Sequence, residues 1–206
     1  MADRFKSYLR RADELLRDGD LSGAAGHERL ARQTLEQLGS PPDLAAKLHA
    51  QRGERALRQA DYPLAEQAFA ETVAALREAG GGGRELFDAL HRLGLARAHQ
   101  GSDERALEAF DEALAVATTI GPAFHSAAST HIARAESLRR VARRADAETS
   151  LRAAIALADH APADGRQRIA DAARRALDGL RPGSSSRERP RPAAAPAASP
   201  PPAAAR

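Results

Sequence analysis

The chain has 206 residues and no cysteine. This length suits one extended domain, and the lack of cysteine excludes a disulfide framework and a thiolate metal site. The sequence contains no run of about 18 apolar residues and no hydrophobic signal core at its N-terminus, so we expect a soluble, cytoplasmic protein outside the membrane. The net charge is +3, but five arginines and one glutamate beyond residue 180 contribute +4 and leave −1 for residues 1–180. The folded part therefore has no bulk charge that favours nucleic acid.

Two helices are predicted at the start of the chain. The first runs over residues 3–18 and ends at Gly19, because glycine is the residue that most often follows a helix. The second runs over 21–38 and ends at Gly39, ahead of a proline pair that forbids continuation. The two helices form a hairpin.

A second hairpin follows over residues 43–80. Asp43 is a candidate cap for its first helix, and Pro63 suits the first turn of its second helix. The run Gly80–Gly83 then separates this hairpin from the next one. We interpret the run as a loose linker, because it lacks the lysine and hydroxyl that a phosphate-binding loop requires.

The third hairpin is the clearest. Gly94 is a small residue where two helices can touch, and Gly101–Asp103 is a turn signal. Ala106, Phe110 and Ala113 follow at i, i+4 and i+7, which is the spacing of one helix face.

The end of the chain holds a fourth hairpin, a closing helix and a tail. Gly121 and Pro122 break the chain, and the turn at 141–144 carries no strong breaker. The helix over 164–180 has arginines and aspartates over most of its surface, as the end of an open stack requires. Residues 181–206 hold seven prolines, alanine runs and scattered arginines. This composition predicts a disordered tail whose attraction to acidic surfaces or nucleic acid is weak and salt-sensitive.

One period relates the hairpins. Small residues recur in steps of 41 in both helices of each unit, and in the last three units a large apolar residue follows the second one by four positions. A shared period for small contacts, large side chains and turns favours an internal repeat over an alanine-rich bundle with accidental spacing. The repeat positions are Ala12, Gly53, Gly94 and Ala135 in the first helices, and Ala24, Ala65, Ala106, Ala147, Phe69, Phe110 and Leu151 in the second helices.

The third hairpin resembles the tetratricopeptide repeat (TPR). That family's signature is a leucine and a small residue in the first helix, a turn, and then alanine, aromatic and alanine in the second helix; Leu93–Leu114 matches it. Glu28 and Thr72 depart from the signature in the first two units. The 41-residue period exceeds the common length of about 34. It is similar to that of long-repeat members such as kinesin light chains and the helical sensor regions of bacterial signalling regulators.

The resemblance implies an all-α fold, a right-handed α-solenoid of antiparallel helix hairpins. We expect a repeat domain over residues 1–180 and a disordered tail over 181–206. The domain consists of four repeats and a C-terminal capping helix, over about 3–39, 43–80, 84–121, 123–160 and 164–180.

The TPR arrangement also implies that the first helices line a concave groove. Their charges form pairs with the acid four residues before the base, Asp13–Arg17, Glu54–Arg58 and Glu136–Arg140. This order stabilises a helix slightly, so we interpret these charges as mutually compensated.

The third repeat breaks that rule, because Leu95 and His99 replace the acid and the base and continue a stripe from His91. A bound apolar or acidic side chain is predicted there, flanked by arginines of the neighbouring repeats. Arg92 also matches one of the basic positions with which co-chaperone members hold a terminal carboxylate. The candidate partner-binding residues are Arg58, His91, Arg92, Leu95, His99 and Arg140.

No catalytic, cofactor-binding or metal-binding residue is predicted. His91 and His99 lie eight residues apart, a rise of about 12 Å that is too long for two imidazoles to share one zinc ion. The sequence has no zinc-protease motif, nucleophile elbow or phosphate loop.

These features favour a non-catalytic adaptor or scaffold that binds a peptide or protein segment in the concave groove. The alternative is a peptide-sensing or transcription-regulator-associated helical protein of bacterial type. Self-association through the ends of the stack is a third interpretation, and solution mass distinguishes it.

Overall fold

The computed structural model of the chain describes residues 1–121, 126–160 and 163–180, with side chains of the last segment given from residue 165. Nine helices lie in these ranges, and no described residue forms a strand. The all-α prediction is confirmed. The helices are α1 (Ala2–Asp18), α2 (Leu21–Gln37), α3 (Pro42–Arg58), α4 (Tyr62–Glu78), α5 (Arg84–His99), α6 (Asp103–Ile120), α7 (Ala127–Arg140), α8 (Arg144–Ala158) and α9 (Ala163–Gly179).

The helices pack as consecutive antiparallel hairpins. The most extensive contacts join α1 to α2, α3 to α4, α5 to α6 and α7 to α8, and each hairpin packs on the next through its second helix. Helix α9 packs on α8 and α7 at the end of the stack. The predicted break at Pro122 and the predicted tail over 181–206 lie outside the described residues.

Each turn inside a hairpin has one residue in the left-handed conformation. Its φ is 82° at Gly19, 55° at Ala60, 77° at Gly101 and 60° at Ala142. These four positions are 41 residues apart. The fourth turn, which has no sequence breaker, therefore has the same geometry as the others, with alanine in place of glycine.

Two aspartates cap the second helices of the first two hairpins. The Asp20 carboxylate accepts a hydrogen bond from the Gly23 amide at 2.8 Å, and Asp61 accepts one from the Leu64 amide at 3.1 Å. Contrary to the sequence prediction, Asp43 is not the N-cap of α3. Because α3 begins at Pro42, Asp43 lies inside the first turn, where its negative charge interacts favourably with the helix dipole.

Two hairpins place a phenylalanine ring directly on a glycine of the facing helix. A Cβ atom added to Gly53 would lie 2.7 Å from the Phe69 ring, and one added to Gly94 would lie closer still to Phe110. Both rings are buried. The hairpins without phenylalanine at this place have alanine in the first helix, Ala12 and Ala135.

An ion pair replaces the aromatic contact in the first hairpin. Glu28, in register with the phenylalanines, is only 6% exposed. The Arg55 Nε from α3 donates to its two carboxylate oxygens at 3.0 and 2.9 Å. Burial raises the pKa of the Glu28 carboxyl, and the Arg55 charge offsets part of that effect. The departure from the repeat signature at Glu28 is thus matched by a partner in the next hairpin.

The largest apolar core joins the second and third hairpins. Phe69 and Val73 of α4 pack there with Phe87, Leu90 and Leu93 of α5. This core holds α3 and α5 on either side of α4 and so positions the surface described next.

Candidate protein-binding groove

The first helices of neighbouring hairpins form the inner layer of the stack. Helix α1 contacts α3, α5 contacts α7, and α7 contacts α9. A cavity of about 480 Å³ lies between α3 and α5, with α4 as its floor. Its lining residues are Asp43, Ala46, Lys47, Ala50, Glu54, Phe69, Thr72, Leu76, Ala79, Gly81, Gly82, Glu85, Asp88, Ala89 and Arg92.

A second cavity of about 560 Å³ lies between α1 and α3. The two cavities are adjacent, because they share Lys47, Ala50, Glu54 and Arg92, and together they extend across α1, α3 and α5. We call the two cavities together the inner groove. The residues that line only its second part are Leu9, Arg10, Asp13, Leu16, Gln51 and Arg58.

Helix α3 is fixed to α1 at the base of the inner groove by side chains that bond to backbone. The Gln51 side-chain amide donates to the Leu9 carbonyl at 2.8 Å, and Arg58 donates to the Leu16 carbonyl. Because each acceptor belongs to the backbone of α1, the width of this part of the groove is set by hydrogen bonds as well as by packing.

Charged side chains line the rim of the α3–α5 part. Arg92 forms an ion pair with Glu54 across the groove. The Asp88 Oδ2 lies 3.8 Å from the Arg84 Nε. Burial raises the pKa of the Asp88 carboxyl, and the charges of Arg84 and Arg92 offset part of that effect. The floor between these charges is apolar, with Phe69 and Leu76 at its centre.

Two of the six predicted partner-binding residues lie in the inner groove. Arg92 lines both of its parts, and Arg58 lines the α1–α3 part. The predicted pairing of Glu54 with Arg58 differs from the structure, because Glu54 pairs with Arg92 and Arg58 bonds to the α1 backbone. Whether these residues bind a partner stays a prediction.

The predicted stripe of His91, Leu95 and His99 does not form one exposed surface. An α-helix has 3.6 residues per turn, so positions eight residues apart diverge by about 80°. His91 faces α7, where its Nδ1 lies 2.9 Å from the buried Thr130 hydroxyl, and it stacks on Phe87. Burial lowers the pKa of His91 to about 4. The half-buried imidazole is therefore neutral at physiological pH.

His99 and Arg140 occupy equivalent places in successive joints between hairpins. The His99 ring stacks on Tyr62, with 4.6 Å between ring centroids and 6° between planes. Arg140 lies 41 residues after His99, and its Nε donates to Asp103 at 2.8 and 2.9 Å. Both side chains thus join the last turn of a first helix to the second helix of the preceding hairpin, and neither lines the inner groove.

Sequence reasoning did not identify the apolar floor or the acidic rim. The sequence predicts Phe69 only as a repeat-packing residue, whereas in the structure it also lines the inner groove. The missed rim residues Asp43 and Glu85 lie in the first turns of α3 and α5. The available signal is that both helices have an acidic residue at their second position.

Within the described parts of the chain, no group of histidine, aspartate and glutamate side chains is arranged to hold a metal ion. None of the described helices is both long enough and apolar enough to span a membrane.

No known family model matches the sequence, and no curated protein matches it significantly. Solved structures do match. BtubC (BKLC) from P. vanneervenii is 18% identical and superposes with a TM-score of 0.67, covering 93% of this chain and 68% of that one. A putative kinesin light chain from Podosopora anserina with nearly identical TPR-like repeats is 14% identical, with a TM-score of 0.61 and coverages of 87% and 96%. The chain therefore has the TPR-type helical repeat fold, and the predicted resemblance is confirmed at the level of the fold.

Proposed function

We propose that this protein is a non-catalytic adaptor that holds a segment of a partner protein in the inner groove. The observation that supports it is the adjacency of two cavities across α1, α3 and α5. Two adjacent cavities accommodate several residues of one segment, which gives affinity through burial and specificity through the charged rim.

The proposal uses a different part of the stack from the predicted stripe. Ala50 lies at the centre of the inner groove because it lines both cavities. Its methyl group leaves room for a bound side chain, and it is only partly buried. The adaptor therefore recognises its partner mainly through α3 and α5 of the second and third hairpins.

A substitution that fills the inner groove tests the proposal. Ala50→Trp places a large ring in the shared part of both cavities, and Ala145→Trp on the exposed start of α8 is the matched control. Wild type and both variants are used as immobilised baits, and captured proteins are quantified by mass spectrometry. We expect specific partners to be lost by at least about tenfold with Ala50→Trp and retained with Ala145→Trp.

Thermal unfolding of both variants controls for folding. Equal capture by all three folded baits would contradict the proposal, because partners would then bind outside the inner groove.

A further inference from the structure

The rim of the α3–α5 cavity is acidic. Four carboxylates line it, Asp43 and Glu54 from α3 and Glu85 and Asp88 from α5, against two bases, Lys47 and Arg92. Arg92 is engaged by Glu54. Asp88 lies 3.8 Å from Arg84 of the same helix, so the four carboxylates against Lys47, Arg92 and Arg84 leave a net charge of −1. The carboxylates that remain exposed to a bound segment are Asp43 and Glu85.

The position of these carboxylates adds to their effect on a ligand. Asp43 and Glu85 are exposed in the first turns of two neighbouring helices, so they stand on opposite sides of the cavity. Asp88 already lies beside Arg84 of α5, so the rim carboxylates that a ligand cation can reach are Asp43 and Glu85.

The floor of the same cavity is apolar. Leu76 of α4 is the half-buried side chain that forms it, and Phe69 and Thr72 of α4, Ala46 of α3 and Ala89 of α5 also line it but are almost fully buried. Alanines at the walls leave space that larger residues would fill, and the cavity measures about 480 Å³. The floor therefore suits a large apolar side chain, whereas the rim suits cations.

We propose that the occupant of the α3–α5 cavity is a partner segment with one large apolar side chain flanked on both sides by arginine or lysine. This inference rests on the proposed adaptor function and specifies its partner chemistry. The apolar side chain lies on Leu76 and the apolar walls around it, and the flanking cations face Asp43 on one edge and Glu85 on the other.

The protein's own C-terminal residues match only half of this description. Arg187, Arg189 and Arg191 supply positive charge, but the apolar residues of 181–206 are alanine and proline alone. That segment can complement the rim and has nothing large enough for the floor. The charge and shape of the cavity together therefore favour a separate partner.

Selection from a display library tests the inference. Random 16-residue peptides are selected on the full chain and, in parallel, on Ala50→Trp, and sequences enriched only on the wild type are compared. The inference predicts a large apolar residue with arginine or lysine on both sides. Enrichment of acidic or uncharged peptides would overturn it while leaving the adaptor function intact. If no peptide is enriched on the wild type relative to Ala50→Trp, the adaptor function is overturned as well.

A charge reversal then tests the rim directly with one fluorescein-labelled peptide from that selection. Asp43→Lys combined with Glu85→Lys is expected to weaken binding at least about tenfold at low salt, since two attractive contacts become repulsive. Asp3→Lys combined with Glu104→Lys is the matched control, because these exposed acids also lie in first turns but outside both parts of the inner groove. Equal weakening by both pairs would overturn the rim assignment.

A third variant tests the protein's own C-terminal segment as the occupant. Arg187→Ser, Arg189→Ser and Arg191→Ser together remove its central cations in the full chain. We expect the affinity for the labelled peptide to stay within about twofold of wild type. A gain of about tenfold or more would show that this segment fills the α3–α5 cavity, and would overturn the choice of a separate partner.

Discussion

Single residues set the turns inside the hairpins. Ala60 and Ala142 adopt the left-handed backbone conformation. This conformation costs a non-glycine residue about 1–2 kcal/mol. In each turn the residue that follows donates its amide to a carbonyl five residues earlier, as Asp61 does to Ala56 and Arg143 does to Leu138, at 2.9 and 2.8 Å. This hydrogen bond ends a helix only when the preceding residue is left-handed. The turn at 141–144 could not be located from composition because its geometry depends on this bond and not on a glycine.

Ala142→Gly should stabilise the protein. Glycine removes the backbone strain at a φ of 60°. Relief of this strain outweighs the extra conformational entropy of glycine in the unfolded chain, so the net gain in stability is about 0.5–1 kcal/mol. Gly101→Ala is the reciprocal control at a φ of 77°, and it should destabilise by about 1 kcal/mol. Urea denaturation of both variants measures these changes. An Ala142→Gly protein no more stable than wild type would contradict the assigned turn.

His91 makes stability depend on pH. Burial lowers its pKa from 6.5 to about 4, so the unfolded chain binds a proton in this range that the folded protein does not bind. The stability that depends on the neutral imidazole is complete above pH 6.5 and is lost as the pH falls toward 4. The loss is on the order of 2 kcal/mol, allowing for partial exposure of the ring.

Denaturation of His91→Leu between pH 4 and 7 measures this contribution. The variant should show a shallower fall of stability on acidification. Thr130→Val removes the hydrogen-bond partner but leaves the imidazole buried, so it should lower stability at pH 7 and keep most of the slope. A slope that survives in His91→Leu would show that other groups carry it.

At the scale of the element, the fit between glycine and phenylalanine determines how closely paired helices approach. The ring of Phe110 covers Gly94, and the ring of Phe69 covers Gly53 in the preceding hairpin. Where the second helix carries Leu151 in place of phenylalanine, the first helix carries alanine. The size of one partner is thus matched to that of the other.

Gly94→Ala should destabilise the protein by about 1–3 kcal/mol, because the new Cβ would overlap the Phe110 ring and force it to move. Adding Phe110→Leu recreates the pairing of alanine with leucine found in the fourth hairpin and should recover part of the loss.

Gly165→Ala in α9 is the control, because a Cβ there meets nothing within 4 Å. It should be neutral or stabilising by up to about 1 kcal/mol. Thermal and urea unfolding give all three values. Additive effects of Gly94→Ala and Phe110→Leu would contradict the proposed contact.

The helices themselves were largely predictable. Gly19, Gly39 and Gly101 punctuate the sequence, and small residues recur with the period that two packed helices impose. The side-chain partners between hairpins were not predictable. Arg140 was paired in sequence with Glu136, whereas it binds Asp103 of the preceding hairpin. The spacing of charges along one helix predicts ion pairs between residues i and i+4. It does not predict which charged side chain of another hairpin lies nearby.

For the whole molecule, the repeat period predicts a stack but does not locate its recognition surface. The inner groove depends on the separation between α3 and α5, which in turn depends on how α4 packs beneath them. Gly81 and Gly82, interpreted as part of a loose linker, lie at its mouth. Only the assembled stack brings these glycines, the α4 floor and the acidic first turns together. The predicted stripe lies on one helix, whereas the inner groove is shared by three first helices, so the two surfaces do not coincide.

The position of a bound partner tests the proposed groove most directly. A photo-crosslinking residue, p-benzoylphenylalanine, is placed at the exposed Lys47, which lines both parts of the inner groove, or at Ala145 on α8, and the 206-residue chain is irradiated in cells. The adaptor proposal predicts a partner crosslinked in high yield through position 47 and not through position 145. Crosslinks through position 145 alone, or equally through both positions, would contradict it.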